Sequence, residues 1–336
     1  MLKVEKSMKK LVQSEDRKAF MEFYARLGQK ENIFFLYCTS NLLHYVIHSV
    51  ALHKQFINMV LITGGLSEEE KEFVSTQIGI PACNLSKAYI DFYIWDLLIE
   101  TCEENFGWLD IDCFVHDKRI IEELCRMEPT VSINAVWERK YAFYQYEGKL
   151  SSTYLDFVNI KIAREIWKSR PWCSMIPIAF PRHAEDIAFE EFRMLEDHDL
   201  EDLRKVYPKF EENTVGLDTT HYYQILAASL GYDIRLIRNL KGNEYSKEII
   251  HLGGCHIMDR MKLGVNRHRS FDRFKMRYSY WILDQYKEIL PEQYGSLLKR
   301  YGENMISNGL KTDMNDVREK IKDYVQMNDI PLPTEN

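Results

Sequence analysis

NIFFLYCTSNLLHYVIHSVALHKQFINMVLITGG, residues Asn32–Gly65, decides the fold. Asn32–Ser40 is an apolar, aromatic-rich run that stops at small polar residues, the composition of a buried strand. Asn41–Gln55 follows at once with apolar positions at helical spacing, and Ser40 or Asn41 stands where a cap belongs. Asn58–Gly65 is a second strand, closed by a glycine pair. Working outward, residues of about 7–29 make a charged amphipathic helix ending near Gly28. On the other side LSEEEKEFVSTQ starts a helix, with Ser67 and Glu70 spaced as a capping box. A short strand at Ala82–Leu85 and a helix across Lys87–Asn105 continue the alternation. Strands alternating with helices predict an α/β fold with a mostly parallel sheet. Ligands of such open sheets bind beyond the carboxyl ends of the strands, where Thr39, Ser40, Gly64 and Gly65 all fall.

The next strand is FGWLDIDCFV, Phe106–Val115. Its apolar flanks read as buried strand, so period-two alternation points Asp110 and Asp112 the same way. Two ionised carboxylates side by side repel and lose solvation, which costs several kcal/mol unless a cation or hydrogen bonds offset it. A divalent ion with oxygen ligands is the natural remedy, and Mg²⁺ or Mn²⁺ keeps open positions for substrate phosphates. The bland alternative is a chance D-x-D in a solvated turn, which the buried context argues against.

Composition bounds the rest. A chain of 336 residues with 46% hydrophobic and 28% charged residues can bury a full core. The net charge of −7 argues against general nucleic-acid binding. No 18-residue apolar window suggests a transmembrane helix, and the charged amino terminus lacks the apolar core of a signal peptide, so a cytoplasmic location is expected. Seven cysteines without a C-x-x-C pair read as reduced, buried thiols rather than a zinc site. There is no G-x-G-x-x-G and no G-x-x-x-x-G-K-[ST], so dinucleotide redox chemistry and P-loop phosphoryl transfer lose support.

Later in the chain, Thr130–Arg139 and Tyr141–Gly148 read as adjacent strands, and Ser152–Lys161 as a strand passing into a helix that ends near Trp167. An acidic helix, EEFRMLEDHDLEDLRK, reads as a solvated surface. Asp218 starts a helix, where it serves either as a cap or as a reactive carboxylate. His251 ends an apolar stretch before Gly-Gly and can reach a metal, with His256 the weaker alternative; a lone histidine is more often structural. Residues 260–277 carry seven Lys/Arg and one Asp, a local net of +6 with Phe271, Phe274, Tyr278, Tyr280 and Trp281 among and after them. This reversal of sign points to a phosphate-bearing partner: a donor diphosphate, an anionic acceptor or an acidic membrane surface. Tyr278–Asn336 reads as helices, with packing over the core as the default.

Taken together, these residues resemble the GT-A class of nucleotide-sugar glycosyltransferases, most closely the glycogenin-like and lipopolysaccharide-galactosyltransferase-like branch, over roughly Asn32 to His256. The order carries the resemblance: a first strand ending in Thr39-Ser40, the D-x-D strand, the STYLDFVNI strand, Asp218 in GLDTTHYYQIL, and a late His-Leu-Gly-Gly. The family's late motif continues to a lysine that this chain lacks, so Arg260 or Lys262 stands in as the phosphate contact. The resemblance implies a mixed, mostly parallel sheet flanked by helices, with helical additions at both ends: a helical segment at 1–31, a catalytic domain at 32–258 and an extension at 259–336. It implies Mn²⁺ or Mg²⁺ held by Asp112, Asp110 and His251 against the donor diphosphate, with Asp110 in the alternative facing the ribose. Thr39 and Ser40 would line the nucleotide site, and Asp218 would be the base of an inverting reaction. The function implied is transfer of a sugar from a nucleoside-diphosphate sugar, with UDP first in line, to an acceptor hydroxyl of a saccharide or glycolipid in surface polysaccharide or glycolipid synthesis. Peripheral contact with the inner membrane face through residues 260–281 would fit that role. The rivals are a non-catalytic GT-A-like scaffold and another metal-dependent phosphate-ester enzyme, such as a nucleotidyltransferase or phosphohydrolase.

Overall fold

The computed structural model describes residues 15–89, 91–137, 150–169, 178–179, 193–194, 201, 204–205, 216–217, 219–237, 248–253, 273–287, 294–297 and 299–301. In chain order these form α1 (Glu15–Ala25), β1 (Ile33–Thr39), α2 (Leu43–His53), β2 (Asn58–Gly64), α3 (Glu68–Gln77), β3 (Ala82–Leu85), α4 (Asp91–Thr101), β4 (Phe106–Leu109) and β5 (Cys113–Val115). Then follow α5 (Lys118–Leu124), β6 (Val131–Ala135), β7 (Leu155–Val158), α6 (Ile160–Ser169), β8 (Ile178–Ala179), β9 (Arg193–Met194) and β10 (Gly216–Leu217). The last are α7 (His221–Ser229), β11 (Asp233–Leu236), β12 (Ile249–His251) and α8 (Arg273–Lys287).

A seven-stranded sheet has the order β11-β6-β7-β4-β1-β2-β3. The pairs β1–β4, β2–β3 and β11–β6 are parallel, whereas β7 runs antiparallel to both β4 and β6. The sheet is therefore mixed and mostly parallel, with helices along its connections, as the strand–helix alternation of the sequence predicts. Its strands carry almost continuous buried runs, as two-sided cover requires: all seven residues of β2 but the first are buried, and all four of β4 and of β7. The expected strand at Tyr141–Gly148 and most of the carboxyl-terminal helices lie outside the described residues. The acidic helix expected at 190–205 is corrected where it is described: Arg193–Met194 form β9, paired with β8, instead of helix.

The chain divides into two compact units: residues 1–35, 89–109 and 119–242 form the first, and residues 36–88, 110–118 and 243–336 the second. In the first, Gly107 sits against the ring of Phe34, where an added Cβ would overlap the ring carbons. Trp95 of α4 packs on Trp108 of β4, with ring centroids 5.0 Å apart. Arg164 of α6 closes the end of α4 by donating to the carbonyls of Ile99 (3.1 Å), Glu100 (3.3 Å) and Cys102, a cation where the helix leaves its acceptors unsatisfied.

In the second unit α2 is buried nearly all round, with eight of its eleven residues inside. His48 lies at its centre, 4.7 Å from the ring of Phe114 and 5.7 Å from that of Trp281. Tyr278 and Trp281 of α8 are 1% and 6% exposed. These two aromatics of the basic stretch thus pack inward on α2 rather than facing a membrane or a polyanion.

Two local expectations are corrected. Residues 106–115 are not one strand: β4 stops at Leu109, and β5 begins at Cys113. Between them a turn closes with the Cys113 amide donating to the Asp110 carbonyl at 3.0 Å. The two aspartates therefore converge through a turn, not through strand alternation. Neither Ser40 nor Asn41 caps α2, whose N-cap is Leu42 with no side-chain cap bond. Both are held by Glu70 from α3 instead.

Candidate functional site

The turn after β4 is locked by a second strand. β12 pairs antiparallel with β5, placing His251 opposite Cys113 and Ile249 opposite Val115. The Leu252 amide donates to the Asp112 carbonyl at 3.0 Å, and the His116 amide to the Glu248 carbonyl at 2.8 Å, so the ribbon is bonded at both ends. The remaining edge of β5 is met by a side chain: the Val115 amide donates to His53 Nε2 at 2.8 Å. An amide can only donate, so Nε2 of His53 carries no proton, and Nδ1–H donates to Ser49 Oγ at 3.0 Å.

This ribbon brings three metal-type side chains together. His251 Nε2 lies 3.7 Å from Asp110 Oδ2 and 3.6 Å from Asp112 Oδ1. One donor atom from each of the three lies within 4.8 Å of the others, and no other such group occurs among the described residues. Asp112 and His251 are 4% and 9% exposed, while the Asp110 side chain is about a third exposed, leaving one flank open. Donors to a single Mg²⁺ or Mn²⁺ at about 2.1 Å stand about 3.0 Å apart when adjacent and about 4.2 Å apart when opposite. The two His251–carboxylate separations, 3.6 and 3.7 Å, fall between those limits. Two carboxylate oxygens and one imidazole nitrogen suit Mn²⁺ or Mg²⁺, the imidazole leaning toward Mn²⁺. Cys113 does not compete: burial first, then Asp110 and Asp112, push its thiol well up and keep it protonated.

Thr39 ends β1 and Ser40 follows it, both in the same unit as this cluster. Because β1 and β4 run parallel as neighbours, their following loops leave the sheet at one edge. Gly253 follows β12 with φ +65°, a left-handed turn that a side chain would strain. The glycine pair after β2 has a packing reason: a Cβ on Gly64 would run into the Lys87 carbonyl and come within 2.8 Å of the Tyr37 hydroxyl. In the first unit α7 begins at His221 with Thr220 as N-cap, at φ +68°. Asp218, His256, Arg260 and Lys262 lie outside the described residues.

Sequence reasoning missed Glu70, read there only as half of a capping box. It also missed the role of His53 in holding β5. No local signal marks either, because the partners come from distant segments.

Residues 10–163 match the StrH glycosyltransferase N-terminal domain family. Within the chain, 117 residues are 30% identical to a dTDP-dihydrostreptose–streptidine-6-phosphate dihydrostreptosyltransferase of Streptomyces griseus. The match takes in 34% of this chain and 30% of that protein, so the chain spans about a third of the relative's length. Among solved structures, the glycosyltransferase GlyE of Streptococcus pneumoniae TIGR4 is 14% identical over 88% of this chain and 64% of its own, with a TM-score of 0.34. Glucosyl-3-phosphoglycerate synthase of Mycobacterium tuberculosis, in complex with Mn²⁺, UDP-glucose and phosphoglyceric acid, is 7% identical over 47% and 63%, with a TM-score of 0.31. The glycosyltransferase class expected from the sequence is the class of the matched domain family.

No helix among the described residues is long and apolar enough to cross a membrane. Among the described cysteines, Cys38, Cys83, Cys102 and Cys113 are buried and Cys125 is half-buried.

Proposed function

We propose that this chain is a glycosyltransferase whose residues 32–258 bind a nucleoside-diphosphate sugar across the Asp110–Asp112–His251 cluster and pass the sugar to an acceptor hydroxyl. The convergence of those three side chains on one ribbon carries the reading. A bound Mn²⁺ or Mg²⁺ would supply Lewis-acid neutralisation of the departing diphosphate. The chain's own part is to hold two carboxylates close together in a mostly buried setting, where their attraction for a cation is strong. Asp112, deepest of the three, fixes the ligand set, and the partly exposed Asp110 stands on the side a donor would enter. In the transfer the acceptor oxygen bonds to the anomeric carbon as the bond to the diphosphate breaks. The acceptor's proton goes to a carboxylate in an inverting reaction, a role assigned to Asp218, or to the departing phosphate in a retaining one. Arg260 and Lys262 are assigned to the diphosphate, and Thr39 and Ser40 to the nucleoside. The relative's name contains a dTDP-sugar, so dTDP joins UDP as the first nucleotide to try. A saccharide or glycolipid acceptor in surface polysaccharide synthesis remains the acceptor class proposed.

Calorimetric titration with dTDP and UDP, with and without Mn²⁺, tests the reading on the native chain and on Asp112→Ala. Metal-dependent binding that disappears in the variant is the expected result. Nucleotide binding that ignores both metal and the substitution refutes it.

A further inference from the structure

Glu70 makes more bonds than a helix cap needs. Its Oε1 accepts from the Asn41 amide at 2.7 Å and the Tyr301 hydroxyl at 2.6 Å. Its Oε2 accepts from the Ser40 hydroxyl at 2.7 Å and the Ser67 amide at 2.9 Å. The residue is 0% exposed. Burial pushes its carboxyl up, but the bonds from Tyr301, Asn41, Ser40 and Ser67 outweigh it, and the group is held below the usual range as a carboxylate. Only the Ser67 bond belongs to the capping box. The other three reach the loop after β1 and the carboxyl-terminal part of the chain.

That loop has little internal support. Asn41 sits at φ +71°, and α2 begins behind Leu42 without a side-chain cap. Its shape is therefore imposed from α3 by one carboxylate. The Ser40 proton is spent on Glu70, which leaves Ser40 Oγ only acceptor capacity, the kind that suits an N–H or O–H of a base or sugar. The Tyr301 side is anchored to the same helix: Ser296 Oγ donates to Glu69 at 2.6 Å, Arg300 pairs with Glu69 at 3.3 Å, and the Tyr294 and Thr76 hydroxyls are 2.9 Å apart.

We propose that Glu70 is a positioning residue for the donor's nucleoside, setting the Thr39–Asn41 loop, and that Tyr301 makes this setting depend on the carboxyl-terminal segment. The proposal rests on the nucleotide-sugar reading above. Three variants of the full chain separate it from a merely structural role. Tyr301→Phe removes one donor to Glu70 and keeps the ring. Glu70→Gln replaces an acceptor-only group by one that must also donate. Ser67→Ala removes the hydroxyl that accepts from the Glu70 amide at 3.3 Å but leaves all four donors to the carboxylate. Each is measured by calorimetry with dTDP and UDP at saturating Mn²⁺, by Mn²⁺ binding alone using electron paramagnetic resonance, and by thermal melting.

Nucleotide affinity is expected to fall about 5- to 10-fold in Tyr301→Phe and more in Glu70→Gln. Mn²⁺ affinity should stay within about 2-fold of the native protein in both, since the metal ligands lie on another ribbon. Ser67→Ala should lose melting temperature and keep nucleotide affinity. If Tyr301→Phe binds nucleotide like the native chain, or if Ser67→Ala loses as much affinity as Tyr301→Phe, Glu70 is only a cap and the proposal falls. If the native chain binds Mn²⁺ but neither nucleotide, the nucleotide-sugar reading fails and takes this proposal with it. Should Glu70→Gln not fold, Tyr301→Phe against Ser67→Ala still decides.

Discussion

Acidification should strip stability from the second unit well before its carboxylates titrate. His44, His48 and His53 are 1%, 1% and 0% exposed, and burial lowers each to about 3. His116, less enclosed, is lowered to about 4 by the same cause. The sign follows from linkage. With folded values below the unfolded value of about 6.5, the unfolded chain binds protons first, so stability is full above about pH 6.5 and drains as the pH falls toward the folded values. For one histidine at a folded value of about 3, the loss between pH 7 and pH 5 is about 2 kcal/mol. Three such groups lose about 6 kcal/mol, comparable with the whole stability of a typical domain, about 5–15 kcal/mol. His53 contributes for a second reason, since its protonation would also break the bond from the Val115 amide that holds β5. Glu70, held low by its four donors, adds its own loss only below the ordinary carboxylate range. The burial of Tyr286, which faces His48 at 3.1 Å, raises its hydroxyl to about 12 and keeps it neutral throughout. The assay is urea unfolding at several pH values between about 7.5 and about 5, with hydrogen exchange of peptides from α2 and α8 reporting the second unit. Near pH 5 the slope should approach about four protons, close to one each from His44, His48, His53 and His116, and His48→Gln should reduce it by about one. A slope under one proton would mean that these histidines are not held neutral in the fold.

Further outcomes follow from single side chains. His251→Ala should weaken Mn²⁺ binding at least about 10-fold and leave melting nearly unchanged, as electron paramagnetic resonance and calorimetry would show; equal Mn²⁺ affinity would remove His251 from the site. Burial pushes the Asp96 carboxyl well up, only partly opposed by the Trp167 indole. Its ionisation therefore costs the fold stability as the pH rises above the unfolded value of about 3.9, so Asp96→Asn should stabilise the protein at pH 7 by about 1 kcal/mol or more and lose that advantage in acid, which paired urea titrations would reveal. Gly107→Ala should destabilise by about 3 kcal/mol because its Cβ would overlap the Phe34 ring, read as a lowered urea midpoint; an unchanged midpoint would show that Phe34 swings away freely.

The sheet was legible in the sequence because its signals are local. Periodicity marks β1, α2 and β2, and the strand at Ala82–Leu85 appears with the predicted bounds. The Ser67–Glu70 capping box also formed as spaced. The short helix α5 escaped notice, being too brief for periodicity to register. The site was partly legible. D-x-D in an apolar run and a histidine before glycines pointed to Asp110, Asp112 and His251, which the fold does bring close together, through a turn rather than through strand alternation. A strand pattern cannot show that the ladder breaks at Asp110, because that break depends on the edge to which Cys113–Val115 pairs.

By itself the sequence determined the α/β alternation, the helix caps that neighbours can form, and the residue types able to hold a cation. Those depend on contacts a few positions apart, where periodicity and spacing are informative. Only the tertiary structure decided that β12 zips His251 to the Asp112 turn, that His53 satisfies β5, and that Glu70, while keeping its place in the capping box, also holds Ser40, Asn41 and Tyr301. Each of those bonds joins segments distant in the chain, and their pairing is set by which buried polar groups must find partners once the core closes, a condition that exists only in three dimensions.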